Sequence, residues 1–221
     1  MALMKKNKKT NFSIKAAFKL GWEISKKNWK LAFAVSLINL AVEVFFIFFI
    51  FYSRDDKGIA FSFRLIRYLV GTWLGAGLFL MAVKLVTTKK KVTIDVLFPS
   101  AHKVLKYFAG CVMLGTVFMV GMIFLVIPGI FLVCKYYFVP CLMVDKNLRM
   151  RKAFEVSAQM TKGIKLKLFL FSLSSLGILI LGLLACFVGV FWSVFIVNVA
   201  NASVYRSVLL RTNRSLALKV A

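Results

Sequence analysis

From Leu168 to Tyr205 the chain runs 38 residues without a charged side chain. At about 1.5 Å of rise per helical residue this length nearly suffices for two crossings of a hydrocarbon layer about 30 Å thick, and one span consumes only about 20 residues. The segment therefore has to fold back once. The rest of the chain is of the same kind: 61% of residues are hydrophobic, 23 of 221 are Phe, and mean hydropathy is +0.86. Soluble domains carry roughly 45–50% apolar residues, so the excess belongs to lipid-facing surface. The sequence predicts an all-α fold, a polytopic membrane helix bundle of six transmembrane helices, with residues 1–221 forming a single integral membrane domain.

The apolar segments parse as Lys30 to Tyr52, Tyr68 to Thr87, Tyr107 to Ile127, Gly129 to Val144, Leu168 to Leu184 and Phe187 to Tyr205. They group as three hairpins. The second is expected to turn at Pro128 and Gly129, where Pro removes a donor and Gly permits reversal. The third is expected to turn near Ala185 to Gly189. The first apolar stretch begins only after Trp29 and is followed by Ser53-Arg54-Asp55-Asp56, not by a small-residue cleavage site, so it reads as a retained span.

Charge sets the orientation. The chain has 31 Lys plus Arg against 7 Asp plus Glu, an asymmetry that calls for a polyanionic partner. Basic residues beside membrane spans are most simply read as anchors to anionic lipid, each attracted by about 1 kcal/mol near the surface, so lipid is favoured over nucleic acid. Lys and Arg crowd the segment up to Lys30, the stretch Lys89 to Lys106, the stretch Lys146 to Lys167 and the tail Arg206 to Lys219. Six spans put all four on one side. Five or seven would strand the C-terminal arginines on the other face. The expectation is a multi-pass protein of the cell (inner, cytoplasmic) membrane with both termini cytoplasmic, the opposite side receiving the loop with Arg54, Asp55, Asp56, Lys57, Arg64 and Arg67.

Two segments repeat. Ile14-Lys15-Ala16-Ala17-Phe18 aligns without gaps to Met150-Arg151-Lys152-Ala153-Phe154, and at the same offset Ser25-Lys26 falls on Thr161-Lys162 and Phe33 on Phe169. Both read as amphipathic helices entering a span, one within residues 1–29 and one within 146–165. Ile14, Phe18, Trp22, Ser25 and Trp29 form one face of the first; Lys15, Lys19, Glu23, Lys26 and Lys30 form the other. In the second, Met150, Ala153, Phe154 and Ala158 oppose Arg149, Lys152, Glu155, Gln159 and Lys162, with Gly163 as a C-terminal cap. A weaker third copy starts at Val92 and includes Phe98. Such helices tie spans to the head-group level, and the basic face they present comprises Lys15, Lys19, Lys26, Lys30, Arg149, Lys152 and Lys162.

Nothing in the chain assembles a catalytic constellation. The seven acids (Glu23, Glu43, Asp55, Asp56, Asp95, Asp145, Glu155) are scattered, His102 is the sole histidine, and Cys111, Cys134, Cys141 and Cys186 sit in apolar segments without a Cys-x-x-Cys pair. Neither metal site, cofactor nor enzymatic activity is expected. The intramembrane polar residues are more informative. Glu43 and Lys135 each fall mid-span, where an isolated charge costs roughly 2.5–3.5 kcal/mol. They are expected to be compensated, either by facing each other as an ion pair or polar passage, or by separate partners. Asn198 and Asn201, with Ser203, suit hydrogen bonding between helices. Gly71-x-x-x-Gly75, Gly177 and Ala185-x-x-x-Gly189 suit close helix packing.

The run Ile127-Pro128-Gly129-Ile130, followed by Lys135, Tyr136, Pro140, Val144-Asp145, Lys152-Ala153-Phe154, Ser157 and Thr161-Lys162-Gly163, resembles an uncharacterised prokaryotic family whose members are described as YciC-like proteins, as membrane proteins of a domain of unknown function, or as the membrane domain of glycerophosphoryl diester phosphodiesterase. The resemblance covers about Lys84 to Tyr205 and implies a multi-span inner-membrane protein of unknown activity. The hydrolase barrel that gives the phosphodiesterase label its activity has no counterpart in this sequence. The functional expectation is a non-catalytic scaffold or accessory protein whose basic face meets anionic lipid, a protein partner or a second copy of itself. The alternative is a small transporter or channel.

Overall fold

The computed structural model describes residues 13–53, 56–88, 92–124, 126–184 and 186–220. Lys5, Lys6, Lys8, Lys9, Arg54, Asp55, Lys89, Lys90, Lys91 and Ala185 lie outside the described residues, as does the side chain of Pro128. The described elements are all helical: α1 (Ile14–Lys27), α2 (Trp29–Tyr52), α3 (Lys57–Thr87), a 3-10 turn (Ile94–Leu97), α4 (Ala101–Phe124), α5 (Val126–Tyr136), α6 (Val139–Asp145), α7 (Met150–Thr161), α8 (Lys165–Leu184) and α9 (Cys186–Val220). Among the described residues five stretches are long and apolar enough to cross a membrane: α2, α3, Ala101–Gly121 of α4, α8, and Trp192–Thr212 of α9.

Local chemistry moves two expected boundaries. Helix α3 begins at Lys57, not Tyr68, because the Asp56 carboxylate accepts from the backbone N–H groups of Gly58 (2.9 Å) and Ile59 (3.1 Å) and caps the helix there. Arg64 and Arg67 thus belong to a helix and not to a loop. Pro128 and Gly129 were expected at the turn of the second hairpin. They lie instead in the first turn of α5, where the missing Pro N–H costs nothing. The expected fourth span, Gly129 to Val144, is divided between the 11 residues of α5 and the 7 of α6, with the break at Tyr137 and Phe138.

Three antiparallel pairings build the bundle. Arg67 meets Glu43 and Phe63 stacks on Phe49 between α3 and α2. Between α4 and its returning partner, Gly121 abuts Gly129, Gly110 abuts Pro140, and Lys106 Nζ donates to Asn147 Oδ1 (2.7 Å). The α5–α6 arm therefore accompanies α4 along its whole length. Between α8 and α9, Gly182 rests against Ser193 and the Gly189 carbonyl.

The open ends of all three hairpins converge on one side chain. Tyr205 of α9 is fully buried, lies edge-on to Phe79 of α3 (5.6 Å between ring centres) and tilted against Phe138 (5.9 Å), and donates its hydroxyl to Asp145 Oδ2 at the end of α6 (2.9 Å). Around it lie Leu74 to Val83, Phe138 to Val144 and Phe195 to Leu209, which make up most of the core.

The elements that precede each hairpin share one placement rule. Helix α1 lies on α9, the 3-10 turn lies on α3, and α7 lies on α5 and α6, so each rests on the second arm of the hairpin before it and the first closes on the last. A methyl group at Gly21 would sit 2.8 Å from the Ile196 carbonyl oxygen, and one at Gly77 would collide with the Leu97 backbone. In α7 the same role falls to hydroxyls: Ser157 and Thr161 donate to the Lys135 carbonyl at 3.1 and 3.0 Å, satisfying an acceptor freed by the α5–α6 break.

Candidate functional site

Glu43 does not meet Lys135. Arg67 Nη2 and Nε approach Glu43 Oε2 at 2.6 and 2.8 Å, a charge-assisted pair formed because the early start of α3 carries Arg67 alongside the middle of α2. The two side chains remain 41% and 46% exposed, so the pair is partly desolvated, not sealed. Beside it, Ser36, Asn39 and Glu43 share one face of α2 and line a groove of about 250 Å³ against Leu78 of α3 and Val194 and Phe195 of α9. The Asn39 amide donates to the Val35 carbonyl (2.8 Å), within its own helix.

Lys135 lies at the end of α5, half-buried, its ammonium 5.0 Å from the centre of the Tyr136 ring. Its carbonyl, held by Ser157 and Thr161, ties the broken arm to α7, and Tyr136 packs edge-on against Phe154 (4.8 Å) at the same joint. Asn201 accepts from the Tyr137 hydroxyl (3.3 Å), linking α9 to the break. Asn198 turns back on its own helix and donates to the Val194 carbonyl (2.9 Å). The two asparagines therefore form no common site. Among the described residues no buried side-chain polar atom lacks a hydrogen-bond partner, and no three His, Cys, Asp or Glu side chains gather closely enough to hold a metal ion.

Lys15, Lys19, Lys26, Lys30, Arg149, Lys152 and Lys162 are all exposed. Of the face read from the sequence on α1, Ser25 is buried and Ile14 and Phe18 pack against the core. Trp22 and Trp29 are 52% and 56% exposed, although Trp22 meets Trp192 edge-on; the buried seam of α1 is Ala17, Gly21 and Ser25, with Phe18 stacked on Phe171 (5.1 Å). In α7 the repeat-related positions Ala153, Ser157 and Thr161 are buried in the same way. This seam of small residues every fourth position is legible in both copies, and it marks where backbones approach closely. By contrast a methyl group at Gly71 or Gly177 would meet nothing within 4 Å among the described residues.

Fold and site together define an all-helical protein with several membrane-length apolar helices and exposed basic entry helices. Residues 107–212, just under half the chain, match the model of a family described as a protein of unknown function (DUF975). That match spans α4 through the middle of α9 and specifies no activity. No curated protein and no solved structure matches.

Proposed function

We infer that the chain is a six-crossing protein of the cell membrane, with both termini and its basic segments in the cytoplasm, and that it acts as a non-catalytic scaffold or accessory protein holding anionic phospholipid against its basic face. The observation that carries this reading is the convergence of the three hairpins' open ends on Tyr205, because Lys103, Lys106, Lys146, Arg149 and Arg206 flank that same end. Positive charge concentrated on one side of a membrane protein marks the cytoplasmic side. The sixth crossing rests on the α5–α6 arm: it runs from Val126 to Asp145 alongside α4, and a helix of that length reaches about 30 Å. Kinship with the YciC-like family, suggested by the motif run from Ile127 to Gly163, belongs to the same proposal.

Purification in mild detergent followed by mass spectrometry of retained lipids and proteins tests it. Anionic phospholipid enriched over its share in the source membrane supports the reading; retention of zwitterionic lipid alone overturns it. A co-purifying protein, or a second copy of the chain, would identify a different occupant of the basic face. Thiol labelling in intact cells at Ser13→Cys and Asp56→Cys tests the topology, with reaction from outside expected only at the latter.

A small transporter or channel is the second reading, favoured by the groove beside Glu43 and the discontinuity between α5 and α6. Weighing against it, Glu43 is occupied by Arg67 and the carbonyl freed by the break is bound by two hydroxyls. Solute flux in proteoliposomes that disappears in Glu43→Gln would favour transport.

A further inference from the structure

We propose that the groove between α2, α3 and α9 is a binding site for a small primary amine, its ammonium held by Glu43 and Asn39 and its apolar body laid against Leu78, Val194 and Phe195. The inference goes beyond the scaffold reading and requires neither lipid retention nor solute transport. The groove measures about 250 Å³, just below the roughly 300–1,000 Å³ of sites for drug-sized molecules, so its occupant has the size of one ring with a short arm. Its two sides differ in chemistry. Asn39 and Glu43 on α2 face the apolar side chains of Leu78, Val190, Val194 and Phe195, the combination of an apolar wall and a few placed polar groups that orients a small ligand.

The polar side offers acceptors. The Asn39 amide nitrogen is engaged by the Val35 carbonyl (2.8 Å), which leaves its Oδ1. Both contacts from Arg67 fall on Glu43 Oε2, which leaves Oε1 on a carboxylate already held in place. Four residues apart on one helix, the two side chains stand about 5–6 Å apart, a gap that one ammonium bridges with two bonds of about 2.8 Å each. Among the described lining residues Glu43 alone is charged, and there is no cation. Such a lining repels an anion. An ammonium brings three donors and no acceptor, whereas a hydroxyl brings lone pairs that these oxygens cannot match.

The test is equilibrium binding of radiolabelled 2-phenylethylamine to the purified full-length chain in detergent, with phenylacetate and 2-phenylethanol as competitors. Wild type should bind the amine saturably, and each competitor should be weaker by about tenfold or more, as loss of a charge-assisted hydrogen bond implies. Glu43→Gln should weaken the amine about tenfold and Asn39→Leu about fivefold. Val194→Phe fills the groove without touching the Glu43–Arg67 pair and should abolish binding, while Gly177→Ala, remote from the groove, should change nothing. If Glu43→Gln unfolds, the competitor series and Val194→Phe still decide. Absence of saturable binding, equal affinity for phenylacetate or 2-phenylethanol, or amine binding that survives Val194→Phe would each overturn the site. None of these outcomes touches the lipid reading, which the retained-lipid measurement tests separately.

Discussion

The two ends of the bundle are built on different terms. At the open end Phe138, Leu142, Leu168 and Tyr205 are completely shielded, and Gly77, Ala82, Ala200 and Ala202 bring backbones together around them. At the turn end of the first hairpin Phe51 and Tyr52 are 70% and 77% exposed, and Phe45, Phe48 and Phe61 also face outward. Both ends are apolar, so hydrophobicity does not distinguish them. Lipid tails are as apolar as Leu, which removes the hydrophobic gain from helix association in a membrane and leaves shape and polar pairing to decide where helices meet. Small residues, one aromatic hub and a partly buried hydroxyl–carboxylate bond weld the open end. Among the described residues the turn end is held by ring stacking and by the Arg67–Glu43 ion pair.

Substitutions that break this contrast should differ sharply in cost. Tyr205→Ala removes the side chain shared by three hairpins and should lower the unfolding free energy in detergent by about 3–5 kcal/mol, read from a denaturant titration. Next comes Gly77→Val, which drives a branched side chain into the Leu97 backbone and should cost about 1–3 kcal/mol while freeing the 3-10 turn to proteolysis. Replacing Glu43 by Gln leaves Arg67 without its carboxylate; the half-exposed pair sets the loss at roughly 1–2 kcal/mol, between surface and buried values. Exchanging the two charges, Glu43→Arg with Arg67→Glu, should recover most of it, and no recovery would argue that the pairing is incidental. The smallest effect is expected for Phe51→Ala, within about 0.5 kcal/mol, since the side chain is 70% exposed. A loss there comparable to Tyr205→Ala would erase the distinction between the two ends.

Much of the fold was legible because a membrane permits few solutions. Long uncharged runs become helices that satisfy their own backbone, and that is what the structure shows for them. The partner of Glu43 was not legible. Whether it met Lys135 or Arg67 depended on where α3 begins, and that is set by the capping carboxylate of Asp56, a short-range preference that hydropathy does not register. The break inside the returning arm of the second hairpin escaped notice for a similar reason: its polar cost is met by Ser157 and Thr161, which lie more than twenty residues downstream. The seam Ala17–Gly21–Ser25 and its repeat were visible as spacing; of the apolar face read from the sequence, Ser25 is buried and Ile14 and Phe18 pack on the core, while Trp22 and Trp29 remain half exposed.

Sequence alone determined the helical class, the membrane-length apolar helices, the pairing of neighbouring apolar segments and the amphipathic repeat, because each follows from local composition or from spacing along one helix. Only the tertiary structure decided that α1 closes on α9 and that three open ends meet at Tyr205. Those contacts join residues dozens to nearly two hundred positions apart. Their energies come from the fit of particular side chains and the pairing of particular polar atoms, terms that no single helix carries within itself.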